Sequence, residues 1–236
     1  MKTLLFLSAL LFSTLFGSAQ YTQPENTPGS GGSYFTQKSD YTGKPIPSGE
    51  KLDVEGTEFL NDHWAVGTVL FRRGRIWPFL ELELSLTNNK LYFRRNDTVF
   101  SFSDSINEFT MNFFQDSVTE KLLFKKGYPP IDGQTEAAFY KVDEAGKNVE
   151  LIRFIEKRLE IRLGYNSPSK SYYMTIESWY VFDVKKKTIR RINNKKNSML
   201  AALPEYANSI NQYRNKENKN SWTFEDVVSI VQSLND

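Results

Sequence analysis

The stretch Leu80-Glu81-Leu82-Glu83-Leu84-Ser85-Leu86 alternates leucine with a polar residue over seven positions. A period of two belongs to a β-strand, because successive side chains point to opposite faces. The leucines therefore line a core face, and Glu81, Glu83 and Ser85 line a wet one. A strand wet on one face is the mark of an antiparallel sheet.

Working outward, residues 66–72 form a preceding strand, with Gly74 as the turn. Leu91-Tyr92-Phe93 and Val99-Phe100-Ser101-Phe102 flank Asn96-Asp97, two residues that tolerate the positive φ of a tight hairpin. Further strands are expected over 106–114, 120–125, 137–142, 149–155 and 158–163, with turns at Gly146 and over 166–170. In the 158–163 strand Leu159, Ile161 and Leu163 oppose Arg158, Glu160 and Arg162. Residues 172–182 are apolar on both faces and predict a central, covered strand. Residues 183–188 then turn into a short strand over 189–192. Many short strands with closely spaced turns predict a mainly β (α+β) chain: an antiparallel sandwich, roll or barrel-like sheet.

The last forty or so residues change period. Met199, Leu200 and Leu203 stop at Pro204, which suits the first turn of a new helix. Tyr206, Ile210 and Tyr213 make one apolar stripe. Thr223 with Asp226 three residues on forms a capping-box variant, ahead of Phe224, Val227, Val228, Val231 and Leu234 on one face. Two or three short helices are expected, docked on the sheet because they are too short to stand alone.

The N-terminus reads as an export signal. Lys2 is the positive start, an apolar run extends from Leu4 to Phe16, and Gly17-Ser18-Ala19 supplies small residues for cleavage. Residues 1–19 are thus a signal peptide. Residues 20–50 are rich in Pro, Gly and Ser and read as a flexible linker. A β domain over 51–193 and a helical segment over 194–236 complete the division.

The chain has 236 residues, 30 Lys+Arg, 28 Asp+Glu, one His and no Cys. Without cysteine there is no disulfide, thiolate metal site or cysteine nucleophile. The near-balanced charge excludes a general nucleic-acid binder. No metal or cofactor is expected, since one histidine leaves too few ligands at a recognisable spacing.

Few residue patterns suggest chemistry. Asp62-His63 contains the sole histidine, but neighbours on a strand point apart and no nucleophile elbow accompanies them. Glu81 and Glu83 lie about 7 Å apart on one face, a glycosidase-like separation. The alternation explains both without catalysis. The densest charge feature is Lys185, Lys186, Lys187, Arg190, Arg191, Lys195 and Lys196. It suits an anionic surface, a glycan or an acidic protein patch, and equally a solvated sheet edge protected by lysine. Arg72, Arg73, Arg75, Arg94 and Arg95 extend it if the fold brings those ends together. Tyr172, Tyr173, Trp179, Tyr180 and Phe182 read as core.

The segment Glu55-Gly56-Thr57-Glu58-Phe59-Leu60-Asn61-Asp62-His63-Trp64-Ala65-Val66-Gly67-Thr68-Val69 resembles the opening of a family of uncharacterised exported proteins from Bacteroidota. Trp179-Tyr180-Val181-Phe182, a lysine-rich turn, Leu203-Pro204-Glu205-Tyr206 and a closing helix ending Leu234-Asn235 match the same pattern. The resemblance implies a bacterial envelope location and carries no catalytic residue. It also makes Asp97-Thr98-Val99, Asp104-Ser105-Ile106 and Asp116-Ser117-Val118 similar to a short O-glycosylation acceptor.

The expected function is an exported, soluble, non-enzymatic binding module of the Gram-negative envelope, in the periplasm or on the outer surface. A small-ligand-binding β-barrel and a carboxylate-based hydrolase of envelope polysaccharide remain alternatives.

Overall fold

In the computed structural model, which describes residues 54–102, 105–115, 118–162, 170–217 and 221–236, the leucine–glutamate alternation becomes the end of a ten-residue strand, with Leu82, Leu84 and Leu86 buried. Residues 1–19 and 20–50, the signal and linker of the sequence reading, lie outside the described residues, as do Asp104, Asp116 and Ser117 of two acceptor-like triplets.

The strands are β1 (Val54–Glu55), β2 (Ala65–Phe71), β3 (Ile76–Ser85), β4 (Lys90–Arg95), β5 (Thr98–Ser101), β6 (Ile106–Gln115), β7 (Val118–Lys125), β8 (Tyr140–Glu144), β9 (Val149–Arg162), β10 (Lys170–Asp183) and β11 (Thr188–Ile192). The helices are α1 (Lys196–Ala202), α2 (Ala207–Glu217) and α3 (Phe224–Ser233), with a 3-10 turn over Pro204–Tyr206. The chain is mainly β, with its helices at the C-terminal end.

All eleven strands join one sheet in the order β5-β4-β3-β2-β6-β7-β8-β9-β10, with β1 and β11 both paired to β10. Every pairing is antiparallel except β1 with β10. The sheet curls but does not close into a barrel. Across the sheet, β9 meets the end of β3, where Lys157 N donates to Leu86 O at 3.1 Å. Asn89 adds a clamp, accepting from Phe139 N at 2.7 Å and donating to Phe139 O at 3.2 Å.

Three apolar clusters hold this arrangement. The concave face packs Leu82, Leu84, Phe109, Met111 and Phe124. Its space is filled by rings: Phe109 stacks on Phe124 at 4.9 Å and meets Phe139 edge-on at 5.0 Å. Further along the same face, Val149, Leu151, Val181 and Ile192 meet Met199, Leu203, Ile210, Val227, Ile230 and Val231 of the helices. On the opposite face Tyr140, Ile152, Phe154 and Tyr180 pack under Tyr128 and Ala138 of the 126–139 loop. Each large aliphatic side chain so buried contributes about 1.5–3 kcal/mol.

Two local expectations are corrected. The strands expected over 149–155 and 158–163 are one continuous strand, β9. The pattern broke because Lys157 occupies an inward position, where its Nζ reaches Thr57 O at 3.0 Å and also Phe59 O. β10 is central in pairing, but its buried residues are Ser171 and Tyr180–Asp183; Met174, Thr175 and Glu177 are exposed. The helix-capping reading holds: Thr223 Oγ1 accepts from Asp226 N at 3.2 Å, and Asp226 Oδ2 accepts from Thr223 N at 2.8 Å.

Candidate anion-binding site at the β10–β11 end

The basic run starts in the β10–β11 connection. Asp183 is buried, and its carboxylate accepts from Lys186 N at 2.8 Å, closing the turn. Lys187 takes φ 57, the left-handed value that returns the chain into β11. This leaves Lys185, Lys186 and Lys187 exposed at the tip.

The run does not form one patch. Arg190 pairs with Val181 in register and lies on the helix-covered face; Arg191 pairs with Tyr180 and lies on the other. Lys186 Nζ is held by Glu205 Oε1 at 2.6 Å. That contact, with a backbone hydrogen bond, pulls the Glu205 carboxyl down to about 2. Arg191 donates to Ser178 Oγ at 3.0 Å and to Asp132 Oδ2 at 3.4 Å. Tyr180 OH also donates to Asp132, at 2.9 Å, and burial first, then this contact, pushes the phenol up to about 12. Lys195 is exposed just before α1, and the Lys196 side chain is outside the described residues.

One lysine of the run does join a basic concavity. Lys187 lines a hollow of about 370 Å³ with Lys125, Lys126, Tyr128, Glu136 and Glu150. Lys125 Nζ pairs with Glu150 Oε1 at 3.2 Å, and Tyr128 OH donates to Glu150 Oε2 at 2.7 Å. Burial, then the charge of Glu150, raises the Tyr128 pKa, so the phenol stays a neutral donor. Lys126 lies 5.1 Å from the centre of the Phe139 ring. Burial lowers its pKa, and the nearby Arg72 charge lowers it further. Among the described residues neither Lys126 nor Lys187 makes an ion pair, whereas Glu150 is already shared by Lys125 and Tyr128. Sequence reading passed over Lys125-Lys126. Its signal was a doublet at a strand end followed by Gly127, whose φ of 94 turns the chain into the 126–139 loop.

The other sequence candidates are spoken for or apart. Arg94 forms two hydrogen bonds to Glu81, at 3.0 and 2.7 Å, and stacks over Trp64 at 5.1 Å. The same bonds lower the Glu81 pKa, so Glu81 is an ionised acceptor rather than a proton donor. Arg75 lies over Phe71 and Trp77. Arg73 and Arg95 sit exposed at turns. His63 and Asp62 are exposed in a bend, where Asp62 N donates to Asn61 Oδ1 at 2.8 Å. Tyr180 and Phe182 are core; Trp179 packs edge-on to Phe224 at 5.0 Å; Tyr172 and Tyr173 are half-buried.

A charged network that the sequence did not signal separates the two cores of the concave face. Arg153 donates to Asp143 Oδ2 at 2.9 Å and Oδ1 at 2.6 Å, and to Glu177 at 2.8 Å. Lys141 approaches Asp143 at 3.3 Å. Desolvation opposes the Arg153 charge, but its bonds to Asp143 and Glu177 outweigh it and raise the pKa. The network joins β8, β9 and β10 beneath Phe224, over whose ring Arg153 lies at 4.4 Å. Every carboxylate in it faces a cation, so it fixes strands rather than offering a free base.

No family model matches this chain, and neither the curated proteins nor the solved structures contain a match to it.

Proposed function

We propose that the chain is an exported, non-enzymatic binding module of the bacterial cell envelope that holds an anionic group of another envelope component. The observation that carries this reading is the placement of Lys126 and Lys187 at one hollow with no ion-pair partner among the described residues. Arg72 raises the positive potential there. An anion entering the hollow relieves the repulsion among these cations, and Lys125 already offsets the charge of Glu150. Lys185 and Lys186, exposed in the same turn as Lys187, add positive charge at the tip beside it. The signal-like residues 1–19 and the resemblance to exported Bacteroidota proteins support the envelope setting.

The test is binding of the full chain to dextran sulfate, followed by fluorescence over a salt series, for wild type and Lys126→Ala/Lys187→Ala. Exposed charge pairs fade beyond a Debye length of about 8 Å at physiological salt, so affinity should fall steeply with salt. The double variant should bind about tenfold more weakly at low salt, equivalent to about 1.4 kcal/mol. Equal affinity for the two proteins would remove the hollow from the function. Recovery of the mature chain from the envelope fraction beginning at Gln20 tests the export half of the reading.

A further inference from the structure

β9 pairs with β10 over the whole of Lys170–Asp183, which occupies one side of β10. On the other side β1 pairs only with Ser171 and Tyr172, and β11 only with Trp179–Asp183. Between them, the six residues from Tyr173 to Ser178 have no strand partner on that side among the described residues. Strand residues point their N–H and C=O alternately to the two sides, so about half of these six present both groups to the gap. The row is about 20 Å long at ~3.4 Å per residue.

We propose that this gap is a strand-acceptor slot, taking one short extended peptide segment of a partner protein by β-addition. The recognising chemistry is the open ladder itself. Unpaired backbone donors and acceptors in strand geometry are complemented by another polypeptide main chain and by little else. The length is set at both ends, because β1 and β11 stand one strand further out than β10 and wall the slot. Those walls also exclude a second copy docking through its own β10. That strand runs on past the gap in both directions and would collide with β1 and β11. The occupant is therefore a segment of about six residues whose flanking chain leaves the sheet at each end.

The side chains beside the slot set a pattern. Met174 and Ile176 lie on one face, while Tyr173 and Thr175 lie on the other beside Leu159 and Lys157. Met174 and Leu159 are exposed large hydrophobics. An occupant with aliphatic or aromatic residues at alternate positions covers Met174 and Ile176. At the β11 end the slot opens into a hollow of about 570 Å³ lined by Glu177, Ser178, Trp179, Arg191 and Asn193, with room for one larger terminal side chain. This surface uses neither Lys126 nor Lys187 and is independent of the anionic-ligand reading.

The probe is a phage-displayed library of random heptapeptides selected against the full chain, followed by synthesis of an enriched peptide. In the free chain, alternate backbone amides among Tyr173–Ser178 should exchange at least about 100-fold faster than those bonded to β9, and the peptide should slow that fast set by about tenfold or more. Methylating one alternate set of the peptide's own amides should abolish binding, and methylating the other set should leave it. The Lys126→Ala/Lys187→Ala variant should bind the peptide unchanged. Four outcomes overturn the proposal: no enriched peptide, protection elsewhere than β10, equal effects of the two methylation sets, or full protection of Tyr173–Ser178 already in the free chain. The last would mean that the chain fills the slot with its own preceding residues.

Discussion

Replacing Asn235 with Ala should unfasten the last helix from the sheet. Asn235 stands one residue from the C-terminus, yet its Oδ1 accepts from Asn148 N at 2.9 Å and Val149 N at 3.0 Å. Its Nδ2 donates to Val149 O and Val231 O, both at 2.8 Å. One side chain thus ties the first residue of β9 to the last turn of α3. Gly146 leaves room for it, since a Cβ there would come within 2.1 Å of the Asn235 amide. A hydrogen bond of this kind is worth about 0.5–1.5 kcal/mol net, so four give about 4 kcal/mol. Water reaches the half-buried Asn148 in the variant and recovers part of this, whereas Val149 is fully buried and recovers little. The expected loss is therefore about 3 kcal/mol, a fall in Tm of about 6–12 °C for a chain of this size. Thermal unfolding by circular dichroism measures the loss. Hydrogen exchange at the Asn148 and Val149 amides, faster in the variant while central β6 and β7 amides stay protected, localises it. A melting point within about 2 °C of wild type would show that the C-terminal clamp contributes little and would refute the reasoning.

Other consequences follow from equally local geometry. Gly67→Ala places a methyl 2.0 Å from Thr110 O and 2.6 Å from Leu82 Cδ1, so two paired strands must part. Overpacking against backbone puts the cost at about 3 kcal/mol, read from a urea melt. Thr223→Ala removes the acceptor of the α3 capping box and should cost about 1 kcal/mol in the same assay. The Lys186–Glu205 pair makes a pH-dependent contribution. Because the folded Glu205 pKa is depressed to about 2 from 4.5, its stabilisation is present above pH 4.5 and lost as pH falls toward 2. The pair is largely exposed, which limits the effect to about 1 kcal/mol or less. Lys186→Ala should therefore melt slightly below wild type at pH 7 and together with it near pH 2. A gap that persists at the acid end would mean that Lys186 stabilises by packing rather than by charge.

The elements legible in the sequence are those whose pattern is local. The Leu82-Leu84-Leu86 face, the Asn96-Asp97 hairpin with φ 47 and 60, and the Thr223–Asp226 cap each depend on neighbours only a few residues away. What could not be read depends on distant partners. Lys157 sits inward because Thr57 and Phe59 carbonyls, about a hundred residues earlier, receive its ammonium. Phe79 holds φ 57 beside the β2–β3 register shift, and no sequence signal announces it. The Asp143–Arg153–Glu177 network joins three strands, so its members look like ordinary surface charges until the sheet is assembled. The candidate site divides the same way. The 185–191 run was plain as a charge cluster, but strand alternation sends Arg190 and Arg191 to opposite faces. The hollow instead pairs Lys187 with Lys125 and Lys126, roughly sixty residues away in the chain.

The most direct measurement is crosslinking capture of the tagged full chain from its native envelope, beside a Lys126→Glu/Lys187→Glu variant that melts as wild type. A binding module that works through the basic hollow should retain an acidic or phosphorylated envelope component reproducibly, and the variant should lose that component while keeping background proteins. The same component retained by both proteins would contradict an anion-binding role for the hollow.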